Sequence, residues 1–165
     1  MERPDANETW HVLALAMDEI YNRNASQLSF EELYRSSYHL VLHKHGDLLY
    51  EGVSDKITSH LVTAVEKLAE TQEENLLEAV SKSWNDHKVT MAMIRDILMY
   101  MDRVYITQSK RRPVYELGLH LFRVTVWEHP AVRGRVIELL LQAISQERAG
   151  MVADDRNLFK SIIGM

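Results

Sequence analysis

Two histidines one helical turn apart, His39 and His43, have the spacing best suited to metal chemistry in this sequence. Side chains at i and i+4 share a face of an α-helix, and the zinc-binding motif His-Glu-x-x-His uses that arrangement. The motif needs a Glu directly after its first His, but Leu40 stands there. A zinc site also needs at least a third protein ligand, and none follows at a suitable spacing. We therefore predict no metal site, and a small metal-dependent enzyme remains an alternative that elemental analysis would test.

Other groups of reactive side chains do not predict a catalytic site. Ser36, Ser37 and His39 cannot form a triad, because neighbouring residues on a helix point in different directions. Asp86 and His87 beside Trp84 could act as acid–base partners, but we interpret them as occupying a capped or solvated helical position. The chain has no phosphate-binding glycine loop, no nucleophile elbow and no cysteine. The sequence predicts a non-catalytic protein without a cofactor.

The composition favours a single all-α domain. The chain has 165 residues, of which 46% are hydrophobic and 26% charged, as in globular proteins. Its 6 glycines and 3 prolines are few, which favours long helices over many short strands. The net charge of −5 argues against nucleic-acid binding, which needs a clustered basic surface. No apolar run approaches the roughly 20 residues of a membrane span, so we also predict no membrane partner.

The stretch from Leu28 to Gly46 has the clearest helix signals. Ser29 suits the N-cap, and Glu32 three residues later completes a capping box. Gly46 is predicted to end the helix in a left-handed conformation. This helix organises our interpretation of the whole chain.

The predicted helix carries more apolar surface than one core can cover. At roughly 100° per residue, its apolar side chains cover an arc of about 200°. Leu33 and Leu40 lie on one edge of that arc, which can face the core, whereas Phe30, Tyr34 and Tyr38 form an aromatic edge. Tyrosine is common where a surface is partly dry and partly wet. The aromatic edge is either a partner-binding face or a second face buried within the same domain.

A second helical region also carries a possible contact surface opposite its core face. From Leu76 to about Gln108 the helical period is continuous, which predicts one very long helix or two joined by a kink of unpredicted position. The flank opposite its core face carries four residues typical of either a contact patch or packing on a neighbouring helix: Asp96, Met99, Tyr100 and Arg103.

The remaining segments give weaker predictions. We expect Asn7 to cap the first helix and a break in the third helix near Gly52. A helix over Ala131 to Arg148 should turn Val136, Leu139, Leu140, Ala143 and Ile144 inward. Asp154 or Asp155 should cap a last helix from Leu158 to Ile163.

Several motifs together resemble the cullin family, in its cullin-3 group. They are Leu-Ser-Phe-Glu-Glu-Leu-Tyr-Arg at 28–35, Val-Leu-His-Lys-His-Gly at 41–46, and Ile-Arg-Asp-Ile-Leu-Met-Tyr-Met-Asp-Arg-Val-Tyr at 94–105. Trp-Asn-Asp-His at 84–87 and Glu-Arg-Ala-Gly at 147–150 agree as well. The resemblance implies an N-terminal cullin repeat over about residues 7–150, built as a bundle of about five long helices. Residues 151–165 would start the next repeat, and the C-terminal cullin domain would be absent.

The resemblance implies a scaffold subunit of a cullin-RING E3 ubiquitin ligase, present in cytoplasm and nucleus. Its N-terminal domain would bind BTB-domain substrate adaptors, and a RING protein would bind through the missing C-terminal region. The residues that the resemblance assigns to the adaptor interface are Leu28, Ser29, Phe30, Glu31, Tyr34, Tyr38, Met99, Tyr100 and Arg103. Phe30 would be the anchor that enters a pocket of the partner.

The sequence departs from the family pattern at several positions. Ser36-Ser37 stands where cullin-3 proteins more often have Asn-Ala. Few residues precede the first helix, so we expect the contact made by the N-terminal tail of cullin-3 to be missing or truncated. The competing interpretation is a helical interaction module outside the cullins that binds a partner helix in an aromatic groove.

Overall fold

The computed structural model describes residues 5–147, and all regular elements in that range are helical, which confirms the all-α prediction. The α-helices are α1 Ala6–Tyr21, α2 Phe30–Leu42, α3 Gly46–Glu70, α4 Glu73–Ile97, α5 Met99–Met101, α6 Thr107–Ser109, α7 Val114–Phe122 and α8 Pro130–Glu147. A 3₁₀ turn covers Ala25–Gln27, and π-helical turns cover Asp102–Ile106 and Arg123–Trp127. The predicted caps at Asp154 or Asp155 and the last helix lie outside the described residues.

The chain divides into two compact units, each with its own core. The first comprises Met1–His60 and Lys88–His120, and the second Leu61–His87 and Leu121–Met165. The first core includes the buried residues Leu13, Met17, Ile20, Leu33, Leu40, Leu49, Val53, Ile57, Met91, Ile94 and Met101. The second includes Leu61, Val65, Leu68, Leu76, Val80, Trp84, Phe122, Val126, Val132 and Val136.

Lys44, and not Gly46, takes the left-handed position that ends α2. Its φ is 66°, and the amides of His45 and Lys44 donate to the carbonyls of Leu40 and Val41 over 2.8 and 3.1 Å. This pair of hydrogen bonds is a Schellman cap. The prediction for Gly46 was therefore wrong: Gly46 is the first residue of α3, where a Cβ would collide with the ring of Tyr105.

Helix α1 is capped by Asp5 and packs on α3 beside a second glycine. The carboxylate of Asp5 accepts a hydrogen bond from the amide of Asn7 over 3.3 Å, so Asp5 is the N-cap of α1 and the prediction of Asn7 was wrong. Helix α3 continues without the expected break at Gly52. A Cβ at Gly52 would lie 2.5 Å from the Trp10 ring, so the missing side chain admits the indole.

The predicted kink lies at Leu98. Helix α4 ends at Ile97, Leu98 has φ −101° and ψ 16°, and α5 then leads into the π-helical turn Asp102–Ile106. The Asp102 carboxylate accepts a hydrogen bond from the Val114 amide over 3.0 Å, which joins this segment to the start of α7. Burial raises the pKa of Asp102.

In the second unit, Arg135 of α8 stabilises the end of α3. Its Nε lies 2.6 Å from the Glu73 carboxylate, and its guanidinium donates to the carbonyls of Leu68 and Ala69 over 3.3 and 3.2 Å. A cation at a helix C-terminus satisfies carbonyls that have no partner within the helix. Elsewhere on α8, Val136 is buried as predicted, but Ile144 is 56% exposed, so its inward placement was wrong.

Candidate protein-binding surface

The N-cap of α2 fixes where the predicted surface begins. The Ser29 hydroxyl accepts a hydrogen bond from the Glu32 amide over 3.3 Å, as the capping motif predicts. Leu33 and Leu40 are buried. Because the leucine edge faces the core, the aromatic edge of α2 is turned away from it.

The structure seals none of the nine predicted interface residues inside its fold. Ser29, Phe30, Glu31 and Arg103 are exposed, and Leu28, Tyr34, Tyr38, Met99 and Tyr100 are half-buried. We call Phe30, Tyr34, Tyr38 and Tyr100 the aromatic surface. Phe30 is 38% exposed. These positions are compatible with partner binding, which stays a prediction.

Two residues of the aromatic surface, on different helices, are in contact. The rings of Tyr38 in α2 and Tyr100 in α5 have centroids 4.5 Å apart and a 52° angle between their planes. A tilted pair at this distance is a favourable aromatic arrangement. The structure thus joins the two motifs that the sequence could identify only separately.

A buried hydroxyl that the sequence interpretation missed connects the same two helical regions. The Ser37 hydroxyl lies 2.9 Å from the carbonyl of Tyr34 and 2.9 Å from that of Ile97, and Ser37 is 0% exposed. Serine on a helix usually suggests an exposed position, so its type gave no signal. Its place one turn from Leu33 and three residues before Leu40 could have indicated burial.

Charged side chains accompany the aromatic residues on α2. Arg35 and Glu31, one turn apart, form an ion pair of 3.0 Å, with their side chains 61% and 83% exposed. Such a pair contributes little to stability because solvent screens it. Both groups can therefore exchange this contact for one with a partner at small cost.

The two histidines with ligand spacing form an aromatic stack. The rings of His39 and His43 are nearly parallel, with centroids 6.1 Å apart, and Tyr38 meets the His39 ring edge-on at 5.6 Å. Between residues 5 and 147, no three histidine, aspartate or glutamate residues are grouped so that they could hold a metal ion. Within that range, no helix is both long and apolar enough to cross a bilayer.

Comparison with known proteins identifies the family. The family model described as the cullin alpha solenoid domain matches residues 10–165. The chain therefore belongs to the cullin family.

Within this family, the chain is similar to the N-terminal domain of cullin-3 proteins. It is 47% identical to Cullin-3B of Arabidopsis thaliana over 160 residues, which are 97% of this chain and 22% of that protein. Identity to Cullin-3 of Dictyostelium discoideum is 45% over 157 residues, or 95% of this chain and 20% of the relative. Cullin-3 of Caenorhabditis elegans is 45% identical over 143 residues, which cover 86% of this chain and 18% of that protein. The chain thus spans about a fifth of the length of these relatives.

Proposed function

We propose that this chain is the adaptor-binding part of a scaffold subunit in a cullin-RING ubiquitin ligase. The aromatic surface binds the BTB domain of a substrate adaptor. A RING protein binds elsewhere on the full scaffold, in the part of the relatives that this chain does not span. The role of this chain is non-catalytic. Its packed helices hold the bound substrate at a set distance from the ubiquitin donor and so raise the effective concentration of the two.

One observation carries the proposal. Aromatic side chains from two separate motifs form a continuous accessible contact, Tyr38 on Tyr100, in a chain similar to cullin-3 proteins. Tyrosine and phenylalanine are enriched at the centres of protein interfaces, where they supply a large contact area at a low entropy cost. Phe30, at the first turn of α2, is the anchor, since 38% of it still faces solvent.

Two exposed charged residues lie at the rim of the proposed interface and can orient a partner on it. Glu31 and Arg103 are both exposed, and they carry opposite charges at its two helical segments. Charges at an interface rim select partners and speed association more than they raise affinity. A BTB partner should therefore present an apolar pocket for Phe30 with complementary charges around it.

Titration calorimetry tests the proposal. The purified chain is titrated with a panel of BTB domains and, in parallel, with an F-box-linked adaptor. We expect saturable binding to at least one BTB domain and none to the other adaptor. Binding only to the F-box-linked adaptor would contradict the BTB assignment.

A further inference from the structure

Ser37 has an unusual position for a small polar residue of a surface helix. It is fully buried, and its hydroxyl lies 2.9 Å from each of two carbonyls, one in its own helix and one at the end of α4. A hydroxyl has one proton, so the two carbonyls share it in a three-centre bond or take it in turn. The Ile97 bond joins residues 60 positions apart in sequence.

This hydrogen bond lies next to both halves of the aromatic surface. Ser37 directly precedes Tyr38, and Ile97 stands three residues before Tyr100. Leu98 departs from α-helical backbone angles, so α4 alone does not fix the direction of the segment that carries Tyr100. The Ser37 bond supplies a second attachment at the point where the helix is interrupted.

We propose that Ser37 is a positioning residue for partner docking. Its hydroxyl holds the end of α4 against α2 and thereby sets the spacing of Tyr38 and Tyr100 before a partner arrives. Preorganisation of this kind raises affinity because less conformational freedom is lost on binding. The proposal rests on the proposed function of the aromatic surface.

The chain supplies a matched control for removing this hydroxyl. Ser36 is the adjacent serine, and its hydroxyl donates to the Glu32 carbonyl of its own helix over 3.0 Å. Ser36→Ala and Ser37→Ala delete the same atom from neighbouring positions of α2. Only the second deletion removes a bond between α2 and α4.

The first measurement needs no partner. Amide hydrogen exchange is followed at residues 98–103, and NMR cross-relaxation between the Tyr38 and Tyr100 rings reports their spacing. A hydrogen bond with a net stabilisation of about 0.5–1.5 kcal/mol corresponds to about a twofold to tenfold change in local opening. We expect Ser37→Ala to speed exchange by that factor and to weaken the ring-to-ring signal, whereas Ser36→Ala leaves both unchanged. Unchanged exchange and an unchanged ring signal in Ser37→Ala would overturn the proposal.

The second measurement asks whether the effect passes through the tyrosine pair. Binding to a BTB domain is measured for Ser37→Ala alone and in the Tyr100→Ala background. We expect Ser37→Ala to raise Kd by about threefold to tenfold in the first case and to have almost no effect in the second. An equal effect in both backgrounds would mean that Ser37 acts only on general stability, and would refute the positioning role. If the wild-type chain binds no BTB domain, the proposed function fails, while the exchange data still decide whether Ser37 positions the surface.

Discussion

Replacing Phe30 by alanine is the most direct perturbation of the proposed interface. A phenylalanine buries about 200 Å² when it is fully enclosed, and 38% of Phe30 faces solvent here. Docking into a pocket would then remove about 75 Å² of apolar area from water, which at about 25 cal/mol/Å² contributes about 2 kcal/mol. We therefore expect Phe30→Ala to raise the Kd for a BTB domain about thirtyfold.

Calorimetric titration of both proteins against the same BTB domain checks this value, with thermal melts alongside. Leu141→Ala is the control, because Leu141 is 62% exposed on α8 and lies outside the predicted interface. It should leave Kd within about a factor of two. A Phe30→Ala protein that loses its cooperative melt, while its folded fraction binds normally, would show that the ring belongs to the core and would refute the reasoning.

Three further predictions concern the fold that supports the surface. Arg135→Ala should lower the free energy of unfolding by about 2 kcal/mol or more, because a charged donor to several acceptors is lost; denaturant titration would show it, and an unchanged midpoint would contradict it. Gly46→Ala should destabilise by about 1–3 kcal/mol through a collision with an aromatic ring, whereas Gly134→Ala should stabilise by about 0.5–1 kcal/mol, since nothing lies within 4 Å of its added Cβ. Melting temperatures that shift in the same direction for both glycine variants would contradict this prediction. Burial acts to raise the pKa of Asp18, but hydrogen bonds and charge from Lys56 and from the His60 ring outweigh it and lower that pKa. The stability that results is present above the ordinary aspartate pKa and is lost as the pH falls through the lowered value. Asp18→Asn should therefore flatten the acid limb of a curve of melting temperature against pH.

Local signals in the sequence predicted α2 well because the determinants lie within a few residues of each other. The Ser29 cap needs only an amide three positions ahead, and the leucine edge needs only the helical period. The aromatic edge followed from the same period, because the arc was wider than one core requires. The contact between Tyr38 and Tyr100 could not be predicted in this way, since it depends on how two distant segments pack.

At Gly46 and Ser37, a distant part of the chain decided what the local pattern could not. Gly46 is required by the Tyr105 ring beside it, and Lys44 takes the strained backbone position in its place. The interruption at Leu98 has no glycine or proline to mark it. Ser37 looks polar in sequence, but it is buried because α4 offers a carbonyl there. Ile144 fits an inward stripe by period alone, yet it faces solvent.

The interruption at Leu98 and the π-helical turn after it make the chain length between α4 and α7 as important as its chemistry. Each residue added to a helix rotates everything beyond it by about 100°. One residue deleted between Ile97 and Asp102 would therefore turn Tyr100 away from Tyr38 and carry the carboxylate of Asp102 off the Val114 amide. The segment between α4 and α7 should accept single replacements at exposed positions outside the proposed interface, but hardly any insertion or deletion.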